Sequence, residues 1–345
     1  MNILFDIGHP AHVHYFKYVI RNLEADGHTV FISARERYPV FELLEAYGFE
    51  YFNRGTGSDT KAGKLINIFS TDLKLLCFAR KHRIDLLVGF GSFYLSHVGF
   101  LLRKPSIILD DTDNAKLSQM LYKPFATKIL SPSSFRNDFG QKHEKFRSFM
   151  ELAYLHPDYF TPDPDIHKLL GFKKNEPYMV MRFVAWNAHH DIGHQGFSSE
   201  NKMEAVRRLS KYAKVIISAE GKLPAALEKF KINIQPHLMH DVIASAKLLF
   251  GESATMASEA AMLGVPAIYL DNDGRSYTHE LEKKYGIVFN FDESEHNQHQ
   301  AIEKACSLLM NPEKEKFKIA AEQILSENIN VTTFLTSILL KMAIK

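Results

Sequence analysis

Short apolar runs alternate along the chain with longer stretches in which apolar residues recur every three or four positions. That is the pattern of buried parallel strands joined by amphipathic helices. Residues 3–7 form the first run, and the turn Gly8-His9-Pro10-Ala11-His12 follows. Val13, Phe16, Ile20 and Leu23 then keep helical spacing until Gly27, and residues 29–32 are apolar again, which predicts a β-α-β opening. The alternation continues through a helix at 41–47, a short strand at 49–52, a polar loop at 54–64, a long helix at 65–82 and strands at 85–88, 105–109 and 127–130. Residues 154–177, punctuated by Pro157, Pro162, Pro164 and Pro177, break the pattern and read as a linker. It resumes with strands at 178–181, 214–218 and 232–234 and helices at 199–212, 223–230 and 240–246.

One stretch organises the second half. The runs 247–250 and 267–270 read as successive parallel strands, and Gly251-Glu252-Ser253-Ala254-Thr255 between them leads into a helix that Gly264 and Pro266 end. Gly251 permits a tight exit from the strand, and Ser253 or Thr255 can cap the helix. A helix N-terminus fed by such a turn offers unpaired N–H groups and a positive dipole end, which suits a phosphate or diphosphate. Glu259, one turn in, is then placed to accept hydrogen bonds from ribose hydroxyls. On this reading Glu259 lies at the surface of the site, and its removal lowers nucleotide affinity about tenfold while costing less than about 1 kcal/mol of stability. The bland alternative is a helix-dipole residue beside an ordinary turn.

The expected architecture is α/β, with two Rossmann-like parallel-sheet domains facing a cleft. The first covers residues 1–155, the linker 156–177 and the second domain 178–318; a helical segment at 319–345 packs its apolar end (Phe334, Ile338, Leu339, Met342) back on the first domain.

Composition narrows the function classes. With 345 residues, 46% hydrophobic and 24% charged, and a net charge of +2, nothing favours nucleic acid as the main partner. Cys77 and Cys306 stand far apart with no C-x-x-C pair, so a disulfide scaffold or zinc ribbon is not indicated. The N-terminal residues lack a signal-peptide pattern and no run is long enough to span a bilayer, so a cytoplasmic setting is expected, with at most peripheral membrane association.

Candidate chemistry gathers at strand ends. Gly8 to His12, Gly89-Phe90-Gly91-Ser92 and Asp110-Asp111-Thr112-Asp113-Asn114 all follow strands and should line one crevice. His12, on the first turn of its helix, can act as general base or orient a substrate, whereas His9 and His14 read as structural or surface residues. Three carboxylates on one turn invite a metal, but no further ligand set of fixed spacing accompanies them, and no metal or other cofactor is expected. In the second half His189, His190, Asp191 and His194 match no metal motif; His189 and His190 are candidates for substrate contact. Asp271-Asn272-Asp273-Gly274-Arg275 is another strand-end turn without the rest of a calcium loop.

These landmarks, with Gly27-His28-Thr29-Val30, Asn114-Ala115-Lys116 and the run Ser258-Glu259-Ala260-Ala261-Met262-Leu263-Gly264-Val265-Pro266, resemble the GT-B superfamily of sugar-nucleotide enzymes. Within it the chain looks most like a domain-of-unknown-function group. It is also similar to the peptidoglycan N-acetylglucosaminyltransferase and the UDP-N-acetylglucosamine 2-epimerases. The resemblance implies that His12 stands where the transferase has its opening His. It also implies that Gly91, Ser92 and Asn114 fall in substrate-contacting turns, and that Glu259 matches the residue that holds the ribose. Two departures stand out: the opening turn lacks a run of glycines, and the epimerases carry an Asp where this chain has Gly91-Ser92.

The leading expectation is a glycosyltransferase using a nucleotide-diphosphate sugar, UDP-linked, in cell-surface polysaccharide or glycoconjugate synthesis. Arg182, Gly251, Ser253, Thr255 and Glu259 would bind the donor, and His12, Asp111 or Asp113 would serve the sugar or lipid-linked acceptor. The alternatives are an epimerase or hydrolase of the 2-epimerase type and a non-catalytic binding module.

Overall fold

Parallel pairing dominates because nearly every strand is apolar on both faces and is followed by a helix that covers it. The computed structural model describes residues 1–57, 61–184 and 194–343. In chain order its first elements are β1 (Asn2–Ile7), α1 (Pro10–Ala25), β2 (Thr29–Arg35), α2 (Val40–Ala46), β3 (Phe52–Gly55), α3 (Lys61–Lys81) and β4 (Leu86–Phe90). Then come α4 (Phe93–Leu102), β5 (Ser106–Leu109), α5 (Lys116–Tyr122), β6 (Lys128–Pro132), β7 (His143–Phe146) and α6 (Leu152–Leu155). The second half holds α7 (Ile166–Leu169), β8 (Tyr178–Phe183), α8 (Ser199–Leu209), β9 (Lys214–Ala219), α9 (Met239–Ala244), β10 (Leu249–Gly251) and α10 (Ala254–Met262). The chain continues through β11 (Ala267–Leu270), α11 (Ser276–Lys283), β12 (Val288–Phe291), α12 (Glu295–Met310), α13 (Lys314–Glu327) and α14 (Val331–Ala343).

Two units result, Met1–Tyr154 with Asn328–Lys345, and Leu155–Glu327. The first contains a seven-stranded sheet in the order β3-β2-β1-β4-β5-β6-β7, the second a five-stranded sheet in the order β12-β11-β10-β8-β9. Their cores are the central strands: Leu4, Phe5, Leu87, Val88, Ile107 and Ile108 in one, Val180, Met181, Phe250 and Ile268 in the other, all fully buried. In the first unit the chain runs from β1 outward to β3 and then restarts at β4 on the other side of β1. Right-handed crossovers therefore put α1 and α2 on one face of the sheet and α3, α4 and α5 on the opposite face. The segment expected as one C-terminal block is divided. α13 packs on α10 within the second unit, whereas α14 packs on α1 in the first, with Val331, Leu335 and Leu339 buried.

Local differences from the sequence reading have physical reasons. The strand expected at 49–52 forms three residues later, at Phe52–Gly55, where Arg54 finds a buried acid. The run at 232–234 is not a strand; only Lys231 bridges to Ile217. Residues 225–230 wind as a 3-10 turn rather than an α-helix. Among the described residues no helix is long and apolar enough to cross a membrane.

Candidate functional site

In each unit the strand order reverses at one place, between β1 and β4 in the first and between β8 and β10 in the second, and crevices outside strand C-termini at such points take ligands in open α/β sheets. The residues following these four strands therefore define two candidate half-sites, each within its own unit.

The half-site of the first unit is built on Asp6, the penultimate residue of β1. Asp6 is 2% exposed, and its carboxylate collects three donors: Ser33 Oγ at 2.9 Å, Arg54 Nε at 2.8 Å and Ser92 Oγ at 2.7 Å. Arg54 is itself buried and lies over the Tyr94 ring. The turn after β1 leads into α1, with Pro10 at its first position and His9 as N-cap accepting from the Ala11 N–H at 3.2 Å. His12 packs against Phe90, ring centroids 4.9 Å apart, and its Nδ1 accepts the backbone N–H of Gly8 at 3.2 Å. Burial, and then the positive charges of Arg54 and Arg37, push the His12 pKa down to about 3. The ring is thus neutral at pH 7, and because Gly8 can only donate, its proton sits on Nε2. His12 therefore offers a hydrogen-bond donor at Nε2. The expectation of a general base gives way to that of an orienting or polarising group.

The other strand-end turns of this unit are mostly braces. Gly91 has φ +55°, a conformation that favours glycine, and its carbonyl accepts Ser118 Oγ at 2.9 Å. The Ser92 hydroxyl is buried, donating to Asp6 and capping α4 through Leu95 N–H, so it is a structural group rather than the substrate contact expected from the sequence. Asp110 is buried beneath Tyr122, whose hydroxyl donates at 2.6 Å, with Thr112 N–H and Gln119 as further donors. Burial raises its pKa to about 6 despite those hydrogen bonds. Asp111 is buried beside Thr112 Oγ1 at 3.0 Å, and Asp113 is half-buried and accepts the Arg136 N–H at 2.7 Å. Asn114 closes the turn, its carbonyl accepting Lys116 N–H at 2.8 Å.

In the second unit β10 enters the turn at Gly251. A Cβ there would sit 2.0 Å from the carbonyl oxygen of Arg182 on neighbouring β8, so only glycine fits this register. Ser253 is the N-cap of α10, accepting Met256 N–H at 3.3 Å, and Ser253, Ala254 and Thr255 are partly exposed, so solvent reaches the first helical turn. Glu252, between them, is buried. Its two oxygens accept Val184 N–H at 2.9 Å and Phe197 N–H at 2.7 Å, joining the ends of the segment that follows β8. Burial raises its pKa, with Lys202 acting against that. Two expectations need correction here. Glu259 is not at the surface: it is 4% exposed and paired with buried His240, Nε2 to Oε1 2.9 Å, because α9 packs against this side of α10. Arg182 is committed to Ser218 Oγ at 2.8 Å and to Glu220, a strand-end pair that already balances its charge.

Beyond α10 the ends of β11 and β12 are strongly anionic. His194 donates to Glu293 at 2.5 Å and lies 3.9 Å from Asp271 and 3.6 Å from Asp273. Burial alone would lower its pKa, but the Glu293 hydrogen bond and the three carboxylate charges outweigh it and raise the pKa. His194, Asp271 and Glu293 bring ligand-type atoms within 4.8 Å of one another. Their oxygens also accept Gln195 N–H, Gly196 N–H, Asp273 N–H, Gly274 N–H and Tyr269 Oη, so the cluster is knitted to the surrounding turns. Beside this knot lies a polar cavity of about 840 Å³, lined by Phe197, Lys202, Asn272 and Gln298 among others and bordered by the N-caps Ser198 and Ser294. His189, His190 and Asp191 fall outside the described residues.

Asp6, Arg54, Glu252, Glu293 and His240 were not singled out from the sequence. Asp6 and Glu252 carried a signal, an acid set at the very end of an apolar strand run; the partners of Arg54 and His240 are too distant along the chain for spacing to disclose.

The family model described as "Protein of unknown function (DUF354)" matches residues 1–279. An uncharacterised protein of Methanocaldococcus jannaschii is 23% identical over 279 residues, covering 78% of this chain and 81% of its own length. Among solved structures, the UDP-GlcNAc 2-epimerase of Neisseria meningitidis bound to UDP-GlcNAc is similar with a TM-score of 0.72 at 13% identity, covering 99% of this chain and 100% of that one. The spinosyn rhamnosyltransferase SpnG complexed with thymidine diphosphate has a TM-score of 0.64 at 13% identity, covering 98% and 99%. At such identities the likeness establishes the fold, which is of GT-B type.

Proposed function

We propose, from the premise that this chain belongs to the DUF354 family and has a GT-B fold, that it is a glycosyltransferase taking a nucleotide-diphosphate sugar, UDP-linked, for cell-surface polysaccharide or glycoconjugate synthesis. The observation that carries this reading is the open first turn of α10, at the strand reversal of its unit. Its N–H groups and the Ser253 and Thr255 hydroxyls would hold the diphosphate, where the helix dipole favours negative charge. Glu259 would reach a ribose hydroxyl from within its pair with His240, and the neighbouring polar cavity would take the sugar. The acceptor hydroxyl would be oriented by the Nε2–H of His12, and Asp111 or Asp113 would accept its proton. Similar folds carry both UDP-GlcNAc epimerisation and sugar transfer, and this supports a nucleotide-sugar substrate more strongly than it supports either reaction.

Isothermal titration with UDP, GDP and CMP tests the binding half. A UDP affinity weakened about fivefold or more by Ser253→Ala in a folded protein is expected, and no binding of any nucleotide at millimolar concentration would sink the reading. Incubation with UDP-N-acetylglucosamine alone tests the reaction half: a donor stable until an acceptor is supplied supports transfer, and rapid acceptor-independent consumption replaces it with the epimerase or hydrolase class.

A further inference from the structure

The helices on one face of the first sheet carry an unusual outer surface. α3 packs on α4 and α4 on α5, and His97 of α4 ties the three together, with Nδ1 against Asp72 of α3 at 2.9 Å and Nε2 against the Leu121 carbonyl of α5 at 3.2 Å. Their inner sides fill the core through Leu75, Ala79, Leu95 and Val98. Their outer sides do not have the polar composition of a solvated face. Ile66, Phe69 and Leu73, spaced three and four apart, form one stripe along α3. Leu117 and Met120 do the same on α5, and Phe100 and Leu101 end α4; all of these are 58–73% exposed. Large aliphatic and aromatic side chains concentrated on adjoining helices mark an interaction surface.

The charges beside them have one sign. Lys74, Arg80, Lys81, Arg103, Lys116 and Lys123 are exposed on these helices or at their ends. Within α3, α4 and α5 the sequence holds a single carboxylate, Asp72, and His97 occupies it. The whole chain is only +2, so this cationic excess is local. A second copy of the same face would set cations against cations, which is costly. A surface of aliphatic side chains fringed by lysine and arginine complements instead the boundary between anionic headgroups and acyl chains.

We propose that the outer face of α3, α4 and α5 docks on an anionic membrane, the apolar stripes entering the headgroup boundary and the lysines and arginines meeting lipid phosphates. The inference is independent of the nucleotide site.

Cosedimentation of the full-length protein with phosphatidylcholine vesicles, with and without phosphatidylglycerol, tests it. Binding is expected to need phosphatidylglycerol and to weaken as salt rises. The double variant Leu117→Glu/Met120→Glu is expected to lose at least about tenfold in vesicle affinity, and Lys116→Glu about fivefold. Both should keep the wild-type thermal midpoint and UDP affinity, because the side chains are exposed and lie in the other unit. Absence of phosphatidylglycerol-dependent binding overturns the proposal, as does equal binding by the folded double variant. So does a lipid-free dimer that the double variant converts to monomer, which would make the face a self-association surface.

Discussion

The two half-sites repeat one architectural idea with opposite electrostatics. In the first unit His12 is buried with Arg54 and Arg37 nearby, and burial first, then those charges, keep the imidazole neutral. In the second unit the residues after β11 and β12 are surrounded by carboxylates, and His194 is held towards its charged form. The same side chain is thus held neutral in one place, chiefly by burial, and drawn towards its charged form in the other by the carboxylates around it. The contrast extends to the acids. Asp6 is satisfied by an arginine and two hydroxyls, whereas Glu252 is satisfied by backbone N–H groups on either side of the segment after β8.

The largest effect is expected from removing a counter-charge in the first unit. Arg54→Met leaves Asp6 buried without its cation and is expected to cost about 3–5 kcal/mol, read as a lower denaturant midpoint. A loss below about 1 kcal/mol would mean that the two serines suffice. In the second unit, breaking the buried pair by Glu259→Ala strands His240 and should cost about 1–3 kcal/mol, more than a surface residue would. Glu259→Gln, which keeps an oxygen for His240, should recover most of that stability, so UDP affinity measured on it isolates the ligand role.

pH separates the two histidines. His12 has a folded pKa of about 3, below its unfolded value of about 6.5, so the unfolded chain takes the proton first. Its contribution is full above about pH 6.5 and declines as pH falls towards 3. His194 is raised, so its contribution is full below about pH 6.5 and is lost as pH rises through the folded pKa. Thermal midpoints of His12→Gln and His194→Gln against wild type, from about pH 4 to 8, should flatten the acid limb and the upper limb respectively. Two variants altering the same limb would erase the contrast. The smallest effect expected is that of Ser253→Ala on stability, about 1 kcal/mol for a lost helix cap.

Much of the fold was legible because strand runs such as those containing Leu4, Val88 and Phe250 are apolar throughout and the intervening helices keep a clean period. The turn at Gly251 and the cap at Ser253 were legible for the same reason, since both are local chemistry. β7, with His143, Glu144 and Lys145 in its run, was not read as a strand, because an edge strand needs apolar residues on few positions. The site was legible as a set of places but not as a set of roles. Helical spacing put Glu259 on α10 but could not tell an outward face from one covered by α9. Nor could any window disclose that Arg54 answers Asp6, or that the Gly8 N–H fixes which nitrogen of His12 carries the proton.

The return of α14 to the first unit has a consequence in time. The second unit is one uninterrupted segment, Leu155–Glu327, and all its contacts are available once that segment has been made. The first unit begins earlier but is completed later. The inner side of α14 contributes buried Val331, Leu335 and Leu339, Thr332 Oγ1 donates to the Ala153 carbonyl at 2.6 Å, and Phe334 meets Phe146 at 5.1 Å. Until α14 has been made, the side of α1 that it covers lacks its partner, whereas the second unit needs nothing beyond its own segment. Completion of the first unit is therefore expected to follow that of the second, the reverse of the order in which the two begin to be made.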